Sequence, residues 1–175
     1  MRTARLTLRE PDDGDADALR AYYRRNADRF APWEPTRPDD VESHRRWASQ
    51  ARAKRHGGKP TVFLALDAQN GALVAVVELH GFAHEPMTNA MIAYTVDGAY
   101  EGKGYASEAV AAVIAYAASD LDVRQVTAYY EPANARSERL LLRAGFEVVM
   151  RAPVVPGFER LMRTQNVAVL RLSGA

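Results

Sequence analysis

The 175-residue chain contains no cysteine. That excludes a disulfide framework, a thiolate zinc site and a cysteine nucleophile. It has almost no charge excess: 23 Lys and Arg stand against 22 Asp and Glu, for a formal net charge of +1. No overall field then draws in nucleic acid or an anionic membrane. No uncharged apolar run approaches the ~18 residues that a transmembrane helix needs. The opening MRTARLTLRE has no apolar core of the kind a signal peptide carries. Internal repeats, linkers and low-complexity segments are missing as well. These absences lead to the expectation of a single soluble domain over residues 1–175, cytoplasmic and not bound to a membrane.

Apolar residues at 47% and charged residues at 26% suit one globular domain with a substantial core. Alternating RLTLRE (Arg5–Glu10) reads as a half-buried strand. PDDGDADALRAYYRRNADRF reads as a helix carrying Leu19, Tyr22, Tyr23 and Phe30 on one face. Asp39, with Glu42 three residues on, is placed to cap a second helix ending at Gly57-Gly58. TVFLALD and ALVAVVELHGF flank Asn70-Gly71, a hairpin signal. After the strand NAMIAYTVD comes a helix with Val110, Val113, Ile114, Ala117 and Leu121 on one face. The strand RQVTAYY, a short helix ending at Gly145, and strands in FEVVMRAPVV and NVAVLRLS follow. This is a mixed α/β chain. Its late β-α-β-α-β run suggests a parallel strand pair at mid-sheet, where ligand crevices form.

Gly102 and Gly104, in YEGKGYASEAV, sit where that long helix begins. A glycine inside a helix costs about 1 kcal/mol relative to alanine. At a helix N-terminus it lets a phosphate reach the unpaired N–H groups and the positive dipole end. A Walker loop does not fit, because Gly98 to Gly102-Lys103 is one residue short and Gly104 stands where Ser or Thr belongs. A G-x-G-x-x-G dinucleotide fingerprint does not fit either, since Ser107 stands in the third glycine's place. EGKGYA after AYTV instead resembles the Q/R-x-x-G-x-G/A pyrophosphate loop of the GNAT N-acetyltransferase superfamily. Gly104 and Ala106 match its small positions, and Glu101 departs from Gln or Arg. EPANARSERLLLRAGFE (Glu131–Glu147) resembles the later N-x-x-[SA] helix and G-F of the same superfamily. LTLRE and RNADRFAPWEP resemble its RimJ/RimL branch, which acetylates the α-amino ends of ribosomal proteins. The likeness runs from about Arg5 to Phe146, and the tail PGFERLMRTQNVAVL departs from it.

The resemblance implies a GNAT fold, α/β (α+β), with a mixed, mostly antiparallel sheet of about six or seven strands flanked by helices. It implies acetyl-CoA as cosubstrate, direct attack by a primary amine, and no metal. The diphosphate would lie on Glu101, Gly102, Lys103, Gly104, Tyr105, Ala106 and Ser107, with Glu101 placing a carboxylate near it. The pantetheine would add as a pseudo-strand beside Tyr94, Thr95 and Val96, whose alternative reading is ordinary strand packing. Asn134 would contact the pantetheine or cap a helix, and both roles are compatible. Leu141 occupies the position of the usual general-acid tyrosine, so Ser137 becomes the candidate partner of the leaving thiolate; its alternative is support of a helix's first turn.

An α-amino group, with a pKa of about 7.7–8.0, is partly neutral near pH 7.4, whereas a lysine near 10.4 costs roughly 4 kcal/mol to neutralise. A protein N-terminus can thus be served by a weak base. The mid-strand carboxylate Glu78, on the same face as His80, is the candidate base or else a rim residue. His44–Lys59 carries six Lys and Arg and no acid, a solvated face or an RNA contact, and Trp33 is an acceptor-cleft or core aromatic. Rival readings are an acetyltransferase for a small-molecule amine, and a non-catalytic acyl-CoA sensor. A homodimer is left open.

Overall fold

A computed structural model of the chain describes residues 1–84, 88–152 and 165–172. In chain order the strands are β1 (Leu6–Arg9), β2 (Arg55–His56), β3 (Lys59–Pro60), β4 (Val62–Asp67), β5 (Leu73–Ala83), β6 (Asn89–Val96), β7 (Gln125–Tyr130), β8 (Glu147–Ala152) and β9 (Gln165–Arg171). The α-helices are α1 (Ala16–Arg25), α2 (Ala27–Phe30), α3 (Val41–Ala53), α4 (Tyr105–Asp120) and α5 (Ala135–Arg143). Seven strands are hydrogen-bonded in the order β1-β4-β5-β6-β7-β9-β8, while β2 and β3 pair apart from them. The pairs β1–β4, β4–β5, β7–β9 and β8–β9 are antiparallel. β6 and β7 run parallel, with Asn89 opposite Gln125 and Met91 opposite Thr127. The mixed sheet and its late parallel pair are thus as the sequence implies.

The chain divides into two compact units, Met1–Glu78 with Tyr94–Val113, and Leu79–Ala93 with Ile114–Ala175. In the first unit, the apolar runs of β4 and β5 are buried on both faces from Val62 to Ala65 and from Leu73 to Val77, as expected of strands covered on each side. Leu19, Tyr22 and Tyr23 of α1 pack with Ala48 of α3 and with Leu64, Leu73 and Val76 of those strands. Each leucine or valine among them contributes about 1.5–3 kcal/mol on burial. The α4 stripe reads as expected, with Val110, Val113, Ile114, Ala117 and Leu121 all buried.

In the second unit, α5 ends in a paired set of bonds: Gly145 N–H donates to the Leu142 carbonyl and Phe146 N–H to that of Leu141. Gly145 has a φ of +88°, so this Schellman ending suits glycine. The apolar contact that accompanies such an ending needs hydrophobes at positions 141 and 146, and both Leu141 and Phe146 are buried. Leucine at 141 is therefore a core residue.

Three local expectations are corrected. The helix cap is Asp40, whose carboxylate accepts from Ser43 N–H at 2.7 Å; Asp39 pairs instead with Arg20 at 2.9 Å, and Glu42 with Arg45. The extended backbone of Asp40 permits that cap geometry. Helix α3 stops at Ala53, because Arg55–His56 turns back at Gly57-Gly58 to pair with Lys59–Pro60. The first helical stretch is broken at Asn26 into α1 and α2, since the Asn26 side chain turns to bond the Tyr22 carbonyl at 2.9 Å and Gly98 N–H at 2.9 Å. The residues 153–155 of the expected closing strand, and most of the divergent tail, lie outside the described residues.

Candidate active site

The two glycines adopt left-handed backbone, with φ of +72° at Gly102 and +82° at Gly104. A side chain added at Gly102 would meet no protein atom within 4 Å, and one at Gly104 only Arg5 Nη2 at 3.3 Å. Backbone geometry and open space on the loop, more than crowding by protein, account for glycine there. Beyond them α4 begins at Tyr105, and its first-turn N–H groups have no partner within the helix.

Side chains from distant parts of the first unit hold this loop. Asp97, 3% exposed, accepts from Ala99 N–H and pairs with Arg25 at 2.5 Å. Asn26 grips Gly98, as above. Arg29 pairs with Glu101 at 2.6 Å, so the unusual carboxylate is neutralised by a cation of α2. Arg5 donates to the Lys103 carbonyl at 2.8 Å, lies over the Tyr105 ring at 4.2 Å and pairs with Glu108 at 2.7 Å. Thr3 donates to the same Glu108 carboxylate at 2.6 Å. Burial works to raise the pKa of Glu108, and the bonds from Thr3 and Arg5 more than offset it, so the group sits below the usual carboxylate value. Lys103 folds back onto the Ala99 carbonyl at 2.9 Å. Ala106 and Ser107 occupy the half-buried first turn of α4.

Along β6, Tyr94 and Val96 are half-buried and Thr95 is buried. The Tyr22 hydroxyl donates to Thr95 at 3.0 Å, and the Tyr23 ring packs edge-on against that of Tyr22 with ring centres 5.1 Å apart. Glu78 is half-buried and paired with Lys54 at 3.0 Å. A carboxylate that the sequence reading passed over, Glu34, adjoins the same tyrosines. Burial pushes its pKa from 4.5 to about 7, with Arg37 opposing and Glu78 adding to the rise. Glu34 lines a cavity of about 190 Å³ together with Tyr23, Phe30, Arg37 and His44.

In the second unit, Asn134 caps α5, its side chain accepting from Ser137 N–H at 3.2 Å. The capping role foreseen for Asn134 is present, and Ser137 stands half-buried in the first turn. Among the described residues there is no group of three or more His, Asp or Glu side chains placed to hold a metal ion. No helix among them is long and apolar enough to cross a membrane.

The loop itself could be read from its glycines; its anchors could not. Arg5 and Glu108 are 103 residues apart, and Asn26 and Gly98 are 72 apart. The one local signal was a lone Asn interrupting the helical run before Asp28.

A family profile described as an acetyltransferase (GNAT) domain matches residues 5–147. The chain is 30% identical over 152 residues to a ribosomal protein uS5-alanine N-acetyltransferase from Escherichia coli strain K12, covering 84% of this chain and 77% of that protein. Its fold is similar to that of a ribosomal-protein-S5-alanine acetyltransferase from Vibrio fischeri, with a TM-score of 0.86, 21% identity, and 98% and 95% of the two chains covered. It is also similar to the fold of Mycobacterium smegmatis RimJ, solved in complex with CoA-disulfide, with a TM-score of 0.82, 21% identity, and 95% and 81% covered.

The Glu34 shift has a thermodynamic consequence. A carboxyl that ionises at about 7 when folded and near 4.5 when unfolded binds more protons in the folded state across that window. Stability therefore falls as pH rises through it. Glu34→Gln removes this contribution, so its urea midpoint relative to wild type should climb from about pH 4.5 to about pH 7. A midpoint difference that stays constant with pH would contradict the buried setting of Glu34.

Proposed function

Because the chain belongs to the GNAT acetyltransferase family, we propose that it transfers the acetyl group of acetyl-CoA to the α-amino end of a protein, a ribosomal protein in the first instance. The observation that carries the acceptor class is the 30% identity over 84% of the chain to an enzyme named for the alanine end of ribosomal protein uS5. The anchored loop Gly98–Ser107 supports the donor.

On this reading the diphosphate lies against the N–H groups at Gly102–Ser107, where backbone donors and the helix dipole meet its charge. The Glu101–Arg29 pair keeps the loop's one carboxylate from repelling it. Tyr94, Thr95 and Val96 line the pantetheine, with Thr95 fixed from behind by Tyr22. Holding donor and acceptor together converts a bimolecular reaction into an effectively unimolecular one. The neutral amine attacks the thioester carbonyl, and the C–S bond breaks to release thiolate. Asn134 sets the first turn of α5, and the Ser137 hydroxyl donates to the leaving sulfur. Glu78, tied to Lys54, presents a fixed carboxylate on the acceptor side.

Ser137→Ala should lower kcat by about 10- to 100-fold, at the low end of general-acid effects because a thiolate is a fair leaving group, and leave acetyl-CoA affinity unchanged. A loss confined to affinity would make Ser137 a binding residue only. Thiol release should be fast with a peptide bearing a free α-amino end and lost when that end is blocked while a lysine remains. A blocked peptide that reacts equally well, or turnover only with a small amine, would overturn the N-terminal acceptor.

A further inference from the structure

We propose that Glu34 is the group that receives the acceptor ammonium's proton, and that the cavity beside it admits the acceptor's amino end. The inference rests on the acetyltransferase reading and deepens it. Three features of the first unit converge on this residue. Glu34 sits in the Pro-bounded turn between α2 and α3, half-buried, on the wall of the ~190 Å³ cavity. That wall also carries the ring of Tyr23, which packs edge-on against Tyr22 with ring centres 5.1 Å apart, and Tyr22 donates to Thr95 on β6 at 3.0 Å, so two adjoining rings connect the cavity to the strand proposed for pantetheine. The volume suits a terminal amino group with a small first side chain and is far too small for a folded partner.

The charges around Glu34 suit the task. Glu78 faces it from β5 and carries like charge, held in place by Lys54. Arg37, in the same turn, opposes the rise as a positive charge, and its guanidinium also stacks over the Tyr23 ring at 4.1 Å and the Trp47 ring at 5.0 Å. Tyr22 and Tyr23 present from α1, with burial holding both phenols protonated. His44 of α3 stacks on Tyr23 with ring centres 5.6 Å apart, and burial lowers its pKa, with Arg37 adding to that effect. Arg24 and Asp39 stand at the cavity's rim. A base is most useful when its pKa lies near the working pH, and Glu34 at about 7 meets that condition just below the α-amino range of about 7.7–8.0.

The step balances as follows. The bound ammonium gives one proton to the Glu34 carboxylate and becomes a neutral amine. Its lone pair forms the C–N bond at the thioester carbonyl. Collapse of the adduct breaks the C–S bond, the electron pair leaves on sulfur, and the second nitrogen proton neutralises the thiolate. Glu34 returns its own proton to solvent after turnover.

The test is thiol release by wild type, Glu34→Gln and Glu34→Asp across about pH 6 to 9, with acetyl-CoA affinity measured by calorimetry on the same samples. Wild-type kcat/KM should rise through an acidic limb near pH 7. Glu34→Gln should lose about 100-fold near pH 7, within the range of general-base effects. The deficit should shrink above the amine's own pKa, where no base is needed. Acetyl-CoA affinity should be retained, and Glu34→Asp should recover part of the rate. A Glu34→Gln enzyme with wild-type rate and limb would overturn the proposal, as would a pH-independent loss that tracks lost acetyl-CoA affinity. If wild type turns over a small amine and no peptide, the acceptor class fails, and the same pH series with that amine still decides the role of Glu34.

Discussion

A helix N-terminus attracts an anion only while its first-turn amides stay bare and the chain leading to them is held still. Those demands conflict, because the simplest way to hold a loop is to bond its amides. Here the loop before α4 is held at its margins by side chains: Asp97 and Asn26 at its start, Arg29 through Glu101, and Arg5 through the Lys103 carbonyl and Glu108. The restraint falls on the Gly98 and Ala99 amides, the Glu101 carboxylate and the Lys103 carbonyl, and none of these anchors bonds the amides of Gly102 or Gly104, where the diphosphate is proposed to lie.

The same anchors bear on the departure from the superfamily loop at Glu101. A carboxylate beside a diphosphate would cost affinity if it were uncompensated. Arg29 converts Glu101 into part of the frame, a third exposed and 2.6 Å from a guanidinium. Leu141, the second departure, stands at the α5 ending, where it and Phe146 are both buried. A tyrosine there would need room for its hydroxyl in a buried position.

The sheet, the hairpin, the α4 stripe and the glycine loop were legible because each is encoded by local period or by a residue with special backbone freedom. What was not legible is long-range. No spacing pairs Arg5 with Glu108, or brings Glu34 under the influence of Glu78. The end of α3 was misread because Gly57-Gly58 stops a helix and turns a ribbon with the same composition, and the ribbon is formed by neighbours three and five residues apart. The cap was misread by one residue, since Asp39 and Asp40 are chemically alike and only the backbone of Asp40 and its reach to Ser43 select it.

The central claim is that the loop at Gly102–Gly104 carries the donor's diphosphate. Calorimetry on wild type and Gly104→Val, each with acetyl-CoA and with S-acetylpantetheine, which lacks the diphosphate, tests it directly. The account predicts that Gly104→Val weakens acetyl-CoA binding by about 10-fold or more, since a backbone held off by a side chain loses charge-assisted bonds of about 1.5–3 kcal/mol each. It predicts no change for S-acetylpantetheine. Equal losses for both ligands, or none for either, would contradict it.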